Sequence, residues 1–204
     1  MRVGVFGGTF DPVHFGHLVV AEQCREQAQL DQVLFVPTAR PPHKEEGTLT
    51  AFDRRAEMVR LAVAGNPAFQ VDDLENNRAG PSYTADTLAE LQRRMPSAKL
   101  GLIVGSDCLP DLPGWHEPAR IVASAGLLVV PRPGWPTWEA EQLRAALHLA
   151  DEMPLQVQVV VVPLIEIASR DLRRRVADGR SIRYFVPAAV AAYIADKKLY
   201  REAK

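Results

Sequence analysis

Short apolar runs recur along the chain and are rich in the β-branched residues that favour strands. Most of them stay apolar instead of alternating with polar positions, which is typical of strands buried on both faces of a parallel sheet. The pattern predicts six strands, at residues 3–6, 33–37, 69–71, 100–104, 127–130 and 157–162.

Longer segments with helical periodicity lie between these runs. They predict helices at residues 16–29, 51–64, 84–94, 115–124 and 137–149, and two more near the end of the chain at 169–176 and 187–195. Strands that alternate with helices predict an α/β fold with a doubly wound parallel sheet. Such sheets bind ligands beyond the carboxyl ends of their strands, so the segment that follows the first strand is the first place to look for chemistry.

The length and composition fit one ordinary globular domain. A chain of 204 residues that is 47% hydrophobic can build a substantial core. Repeats, low-complexity tracts and linkers do not interrupt the sequence, so we expect a single domain over residues 1–204 with a C-terminal helical subregion from about residue 164.

The charge balance gives no reason to expect a nucleic-acid partner, because 25 acidic residues nearly cancel 24 basic ones. Cys24 and Cys108 lack a metal-binding spacing, and we expect two reduced thiols. No apolar run approaches membrane-spanning length and no leader precedes the first strand, so we expect a cytoplasmic protein that does not contact membranes. The sequence does not predict an oligomeric state.

The segment after the first predicted strand has features of a phosphate site. Gly7 and Gly8 let backbone N–H groups approach an anion. His14 and His17 are three residues apart at the expected start of the first helix, which places both imidazoles on one face near the positive end of the helix dipole. Taken alone, the two histidines could also be packing and surface residues, or metal ligands without a third partner of suitable spacing.

A longer string carries more information than the histidines alone. Gly8-Thr9-Phe10-Asp11-Pro12 followed by His14-Phe15-Gly16-His17 resembles the T/H-x-G-H signature of the adenylyltransferase and cytidylyltransferase superfamily. The resemblance implies a Rossmann-like nucleotidyltransferase fold and ATP as a substrate. It also implies that His17 and His14 are catalytic and that ATP phosphates meet Gly8, Thr9, Phe10, His14 and His17.

Further segments resemble bacterial nicotinate-mononucleotide adenylyltransferase and occur in that family's order over nearly the whole chain. They are Pro41-Pro42-His43-Lys44, Gly80-Pro81-Ser82-Tyr83-Thr84, Gly105-Ser106-Asp107, Trp115-His116-Glu117, Pro131-Arg132-Pro133-Gly134 and Ile167-Ala168-Ser169-Arg170-Asp171-Leu172-Arg173. The implied reaction is in-line adenylyl transfer from ATP to nicotinate mononucleotide, a step of NAD biosynthesis, without a covalent intermediate.

The resemblance also assigns the remaining site residues. ATP is expected to meet Gly105, Asp107, Ser169 and Arg173, with Ser169 as the N-cap of its helix. Mg²⁺ is expected to be carried mainly by the ATP phosphates, and no residue is named as a metal ligand. The nicotinate nucleotide is expected to meet Lys44, Ser82, Tyr83, Thr84 and Trp115.

Two parts of the sequence, the C-terminal motif and the position of Asp11, refine what the resemblance implies. The C-terminal motif has Ala168 and Arg170 where the family commonly has Ser and Thr. Enzymes that accept the amide nucleotide commonly have Asn at the position of Asp11, which favours the acid substrate here. The alternatives are an adenylyltransferase for another phosphate ester, such as phosphopantetheine, and a catalytically inactive nucleotide-binding regulator.

Overall fold

The computed structural model describes residues 1–42 and 49–201. In this part of the chain six strands form one parallel sheet. The strands are β1 (Arg2–Gly8), β2 (Gln32–Pro37), β3 (Phe69–Val71), β4 (Lys99–Gly105), β5 (Ala125–Val130) and β6 (Val157–Val159).

Helices connect the strands and complete the C-terminal end of the described chain. They are α1 (Phe15–Gln27), α2 (Phe52–Val63), α3 (Thr84–Arg94), α4 (Pro118–Ser124), α5 (Ala140–Ala146), α6 (Ser169–Ala177) and α7 (Ala188–Asp196). Two short 3₁₀ turns, Ser106–Cys108 and Leu112–Gly114, lie between β4 and α4. No helix of the described residues is long and apolar enough to cross a membrane.

The strand order is β3-β2-β1-β4-β5-β6, which confirms the predicted doubly wound parallel sheet. The order reverses between β1 and β4, where Val3 pairs with Leu100 and Val5 pairs with Leu102. The central residues of β1, β2 and β4 are buried, as their continuous apolar runs predicted.

Local chemistry explains where the helices differ from their predicted bounds. The predicted start of α4 at residue 115 is wrong, because Glu117 adopts a left-handed backbone with φ of 50° and Pro118 opens the helix. The start of α5 is later than predicted because Glu139 and Gln142 form a capping box. Strand β6 ends at Val159, although the apolar run in the sequence continues.

Contacts divide the chain into two compact units, each with its own core. The first unit comprises Met1–Phe6, Val20–Leu34 and Ser82–Pro163. Its core includes Leu102, Ile121 and Leu127, each no more than 3% exposed. Its two cysteines are free thiols, and burial raises the pKa of Cys24 to about 12.

The second unit comprises Gly7–Val19, Phe35–Pro81 and Leu164–Lys204, with residues 43–48 and 202–204 outside the described part. Helix α2 packs on α7 in this unit. Phe10, Phe35, Met58 and Leu172 are buried in its core. The segment that follows β1, which the sequence marks as a phosphate site, belongs to this second unit.

Candidate active site

Residues 8–14, named here the first loop, connect β1 to α1. Phe10 adopts a left-handed backbone with φ of 47°, which is uncommon for a bulky residue. Its ring is almost fully buried, lies 5.7 Å from the Phe35 ring and meets His17 edge to face at 5.1 Å between centroids. A Cβ atom on Gly8 would lie only 3.1 Å from the Phe10 ring, so the glycine leaves room for it. Packing of Phe10 thus fixes the loop beside His17.

His14 and His17 face each other at the start of α1. Their imidazole rings stack at 3.7 Å between centroids with an interplanar angle of 24°. The backbone N–H of His14, just before α1, donates to Nδ1 of His17 over 3.2 Å. His17 is the third residue of α1, and its side chain accepts this bond as the third residue does in a capping box. Since Nδ1 accepts this bond, a neutral His17 carries its proton on Nε2. The fold therefore supplies His17 as an oriented N–H donor.

Gly16 lies between the two histidines, and its size matters. A Cβ atom there would lie 3.0 Å from Nδ1 and 3.1 Å from Cε1 of His14. That separation is tighter than ordinary van der Waals contact, so a side chain would push the buried imidazole of His14 out of place. The glycine of the H-x-G-H string is explained by this close approach.

Two side chains of α6 hold the first loop by its carbonyl groups. Ser169 Oγ donates to the carbonyl oxygen of Pro12 over 2.9 Å, and Arg173 Nη1 donates to that of Asp11 over 2.6 Å. The prediction that Ser169 caps α6 is wrong, because Ala168 occupies the N-cap position and Ser169 is the first helical residue. Its hydroxyl donates to the first loop instead. This bond joins the C-terminal motif at residues 167–173 to the first loop.

The Asp11 carboxylate is buried and is held from two directions. It is 1% exposed, and its Oδ2 atom accepts the backbone N–H of Thr50 over 3.1 Å. Its Oδ1 atom accepts the hydroxyl of Tyr200 over 2.6 Å. Burial, followed by the charge of Asp11, raises the pKa of Tyr200. Asp11 thus connects the first loop to two other segments.

Arg55 completes this network from α2. Its guanidinium is 1% exposed, and it donates to the carbonyl oxygens of Thr50 and Thr9, each over 2.8 Å. Burial lowers the pKa of Arg55, an effect that the nearby Asp11 charge opposes. The first loop is therefore held at Thr9, Asp11 and Pro12 by side chains of α2, α6 and the C-terminal segment.

Four of the five residues predicted for the nicotinate nucleotide, Ser82, Tyr83, Thr84 and Trp115, lie in the first unit. Ser82 is buried and Trp115 is half-buried. Thr84 is the first residue of α3, and Tyr83 takes the N-cap position without a capping hydrogen bond from its side chain. The Tyr83 ring stacks on His116, with centroids 4.2 Å apart and an interplanar angle of 28°. These rings form a flat aromatic surface next to the start of α3.

The turn after β4 also lies in the first unit. Ser106 is fully buried; its Oγ accepts the backbone N–H of Arg132 over 2.9 Å and donates to the carbonyl of Trp135 over 3.3 Å. Asp107 is more exposed, with an oxygen 4.0 Å from Nε of Arg132. A Cβ atom on Gly105 would collide with the Asp107 carboxylate. Gly105 and Asp107 are thus placed next to each other at the carboxyl end of β4.

The remaining predicted residue is Lys44, which lies outside the described residues. Among the residues that are described, no group of three or more His, Cys, Asp or Glu side chains is placed to hold a metal ion.

Comparisons with known proteins identify the family. A cytidylyltransferase-like family model matches residues 5–186. The probable nicotinate-nucleotide adenylyltransferase of Thermomicrobium roseum is 48% identical, and the alignment covers 98% of this chain and 92% of that protein. The chain belongs to the nicotinate-nucleotide adenylyltransferase branch of this family. The protein of the same name from Thermus thermophilus is 46% identical over 98% of this chain and all of its own length.

A solved structure agrees with this assignment at the level of the fold. The nicotinic acid mononucleotide adenylyltransferase of Plasmodium falciparum, complexed with NaAD, matches with a TM-score of 0.79 and 18% identity. The match covers 98% of this chain and 97% of that one. This chain therefore has the nucleotidyltransferase fold that the sequence predicted.

Sequence reasoning missed several residues that hold the first loop or lie beside the start of α3. Arg55 falls on the buried face of α2 with Val59 and Val63, and a charged residue in that apolar stripe is the signal that could have revealed it. His116 stacks on Tyr83, whereas the resemblance assigns a contact only to its neighbour Trp115. Tyr200 offers no local signal, because its partner lies 189 residues earlier in the chain.

Proposed function

We propose that the protein transfers the adenylyl group of ATP to the 5′-phosphate of nicotinate mononucleotide, giving nicotinate adenine dinucleotide and pyrophosphate. The observation that carries the proposal is the oriented pair of His14 and His17, which follows β1 in the chain. The chain is also 48% identical to a probable nicotinate-nucleotide adenylyltransferase. The nearly complete overlap of the two chains supports the same reaction for both.

The reaction needs no general base. A phosphate monoester has a second pKa of about 6, so the attacking phosphate is largely dianionic near neutral pH. Catalysis then consists of holding two anions in line and stabilising the charge that moves onto the pyrophosphate. Hydrogen-bond donors with fixed positions meet this need better than proton acceptors do.

His17 supplies such a donor through Nε2–H. Its ring is held on one side by the N–H of His14 and on another by the edge contact with Phe10, so it needs little reorganisation when charge develops. His14 and the backbone N–H groups of Gly8, Thr9 and Phe10 extend the donor set along the phosphates. The amino-terminal end of α1 is the positive end of its helix dipole, which attracts the phosphates.

Arg173 supports the phosphates from α6. Its bond to the Asp11 carbonyl uses one of the five N–H donors of the guanidinium. The remaining donors and the positive charge are available to the β- and γ-phosphates, and Ser169 keeps the first loop close to this helix. Mg²⁺ enters with the ATP phosphates, since it commonly binds through substrate oxygens with few protein ligands.

The pyridine nucleotide is expected to meet residues around the start of α3. The Tyr83 and His116 rings offer a flat face for the nicotinate ring. The first N–H groups of α3, at Thr84, are positioned to meet its carboxylate with the favourable end of the helix dipole. Ser82 and Trp115 border this segment, and Gly105 and Asp107 serve the adenosine portion of ATP. We propose that the reaction takes place in the cytoplasm.

The test is a panel of phosphate acceptors supplied with ATP and Mg²⁺ and scored by pyrophosphate release. The purified protein should turn over nicotinate mononucleotide and should use nicotinamide mononucleotide less well, because the amide lacks the charge that the start of α3 attracts. Product identity is checked by mass spectrometry. Turnover of phosphopantetheine alone would assign the protein to another substrate class, and binding of ATP without any turnover would make it a regulator.

A further inference from the structure

The Asp11 carboxylate and the Tyr200 hydroxyl form a buried contact that the proposed phosphate chemistry does not use. The Tyr200 hydroxyl donates to Oδ1 of Asp11 over 2.6 Å, and the Thr50 N–H donates to Oδ2 over 3.1 Å. We name these three groups the clasp. Both oxygens of the carboxylate are engaged and the residue is 1% exposed. A carboxylate in this state has a protein partner on each side and does not face a substrate.

The chain takes an unusual path to deliver Tyr200 to Asp11. After α7 ends at Asp196, Lys198 and Tyr200 adopt left-handed backbones with φ of 51° and 61°. Neither is a glycine, and L-residues rarely adopt this conformation. Such residues persist where the surrounding contacts demand them. The hydrogen bond to Asp11 is a contact of that kind.

The clasp acts on the part of the site that holds the histidines. Asp11 lies between Phe10, whose ring meets His17 edge to face, and Pro12, whose carbonyl is held by Ser169. The Asp11 backbone carbonyl is separately held by Arg173. A displacement of the Asp11 side chain would therefore move the neighbouring Phe10 ring and, through it, His17.

We propose that Tyr200 is a positioning residue, which acts through Asp11 to hold the first loop so that His17 meets the reacting phosphate. The role rests on the proposed adenylyl transfer. It also gives Asp11 a different purpose from that suggested by comparison with amide-accepting enzymes. The Asp11 charge anchors the loop to the C-terminal segment and does not itself distinguish the acid nucleotide from the amide.

The central variant is Tyr200→Phe, with Tyr184→Phe as its matched control, since Tyr184 is 83% exposed. We expect Tyr200→Phe to lower kcat about tenfold with less than a threefold change in either KM, because small misplacements of reacting groups slow the transition state. Tyr184→Phe should stay within twofold of wild type. The rates are measured well below the unfolding temperature of each variant, so that a loss of global stability alone leaves kcat unchanged.

Two further variants show whether the effect travels by the proposed route. Asp11→Asn can keep both contacts, by accepting from Thr50 with its oxygen and donating to Tyr200 with its nitrogen, and should retain most of the activity. Asp11→Ala should lose at least as much as Tyr200→Phe. In a His17→Ala background, Tyr200→Phe should cause less than a twofold further loss, because the group that it positions is already absent.

Specific results would overturn the role. Wild-type kcat in folded Tyr200→Phe, or an undiminished tenfold effect without His17, would exclude positioning through the loop. A large change in the acid-to-amide ratio of kcat/KM in Asp11→Asn would make Asp11 a specificity residue instead. If the wild-type protein turned over no phosphate acceptor, the proposed function would be wrong. In that event, hydrogen exchange still tests the clasp, since amides of the first loop should exchange faster in Tyr200→Phe than in Tyr184→Phe.

Discussion

His17 is fixed by contacts with its neighbours in the first loop and α1. The N–H of His14 holds Nδ1 of His17, Phe10 meets the ring edge to face, and the missing side chain of Gly16 leaves room for the His14 ring. The hydrogen bond and the ring contact restrict His17, and the space at Gly16 admits the His14 ring. Their joint effect is a donor whose position and tautomer come from the fold, which is the arrangement that stabilises developing charge at the lowest reorganisation cost.

Removal of the His17 imidazole tests this arrangement directly. His17→Ala should lower kcat by about 10²-fold or more with a smaller change in KM, since one well-placed donor contributes about 2.7–4 kcal/mol at a transition state. Steady-state kinetics with both nucleotides measures the change. His148→Ala, which removes an exposed histidine, is the control and should match wild type. Turnover of His17→Ala within twofold of wild type would rule out this role.

Strand β1 packs in the core near its start and leads into the proposed phosphate site at its end. At Gly4 the backbone is surrounded by core side chains, and a Cβ atom there would lie 2.6 Å from Leu30 and 3.3 Å from Val33. At Gly7 an added Cβ atom would have nothing within 4 Å. Two glycines three residues apart therefore have different reasons to lack a side chain.

The stability of variants in β1 should separate these two glycines. Gly4→Ala should lower the free energy of unfolding by about 1–3 kcal/mol, because an extra methyl group overpacks a filled core. Gly7→Ala should leave it within about 0.5 kcal/mol of wild type, as a substitution that makes no steric contact does. Urea denaturation of both proteins measures the difference. Equal stability of the two variants would show that the core around Gly4 relaxes freely.

Helices and strands that are marked by a local sequence pattern could be predicted, whereas contacts between distant segments could not. The six strands follow from apolar runs and the position of His14 and His17 from the start of α1. The late start of α4 depends on the left-handed backbone of Glu117, which no periodic pattern encodes. The partners of the first loop on α2 and near the C-terminus become visible only once the chain is folded.

The first loop also depends on a segment that is distant in sequence, near the C-terminal end of the described chain. Tyr200 and Asp11 are 189 residues apart in sequence and are joined by a hydrogen bond of 2.6 Å. Closing so long a segment has an entropic cost, which the other contacts of the second unit help to offset. The Tyr200 hydroxyl thus couples the C-terminal segment to the geometry of the first loop.

This coupling predicts an alkaline loss of stability that belongs to Tyr200. Burial and the Asp11 charge raise its pKa above the ordinary value of 10.0. The folded chain therefore keeps the phenolic proton at a pH where the unfolded chain releases it. The stabilisation is fully present below the unfolded-state pKa, near 10, and is lost progressively as the pH rises from there towards the folded-state pKa.

Tyr200→Phe should remove this part of the pH dependence. Above pH 10, the free energy of unfolding of wild type should fall more steeply than that of the variant, by up to about 1.4 kcal/mol per pH unit. Urea denaturation at about pH 8.5 and about pH 11 measures both slopes, and other groups that titrate in this range cancel in the comparison. Tyr184→Phe should keep the wild-type slope. If Tyr200→Phe kept it too, the Tyr200 hydroxyl would have the same pKa in the folded and the unfolded chain, and the predicted coupling to pH would be wrong.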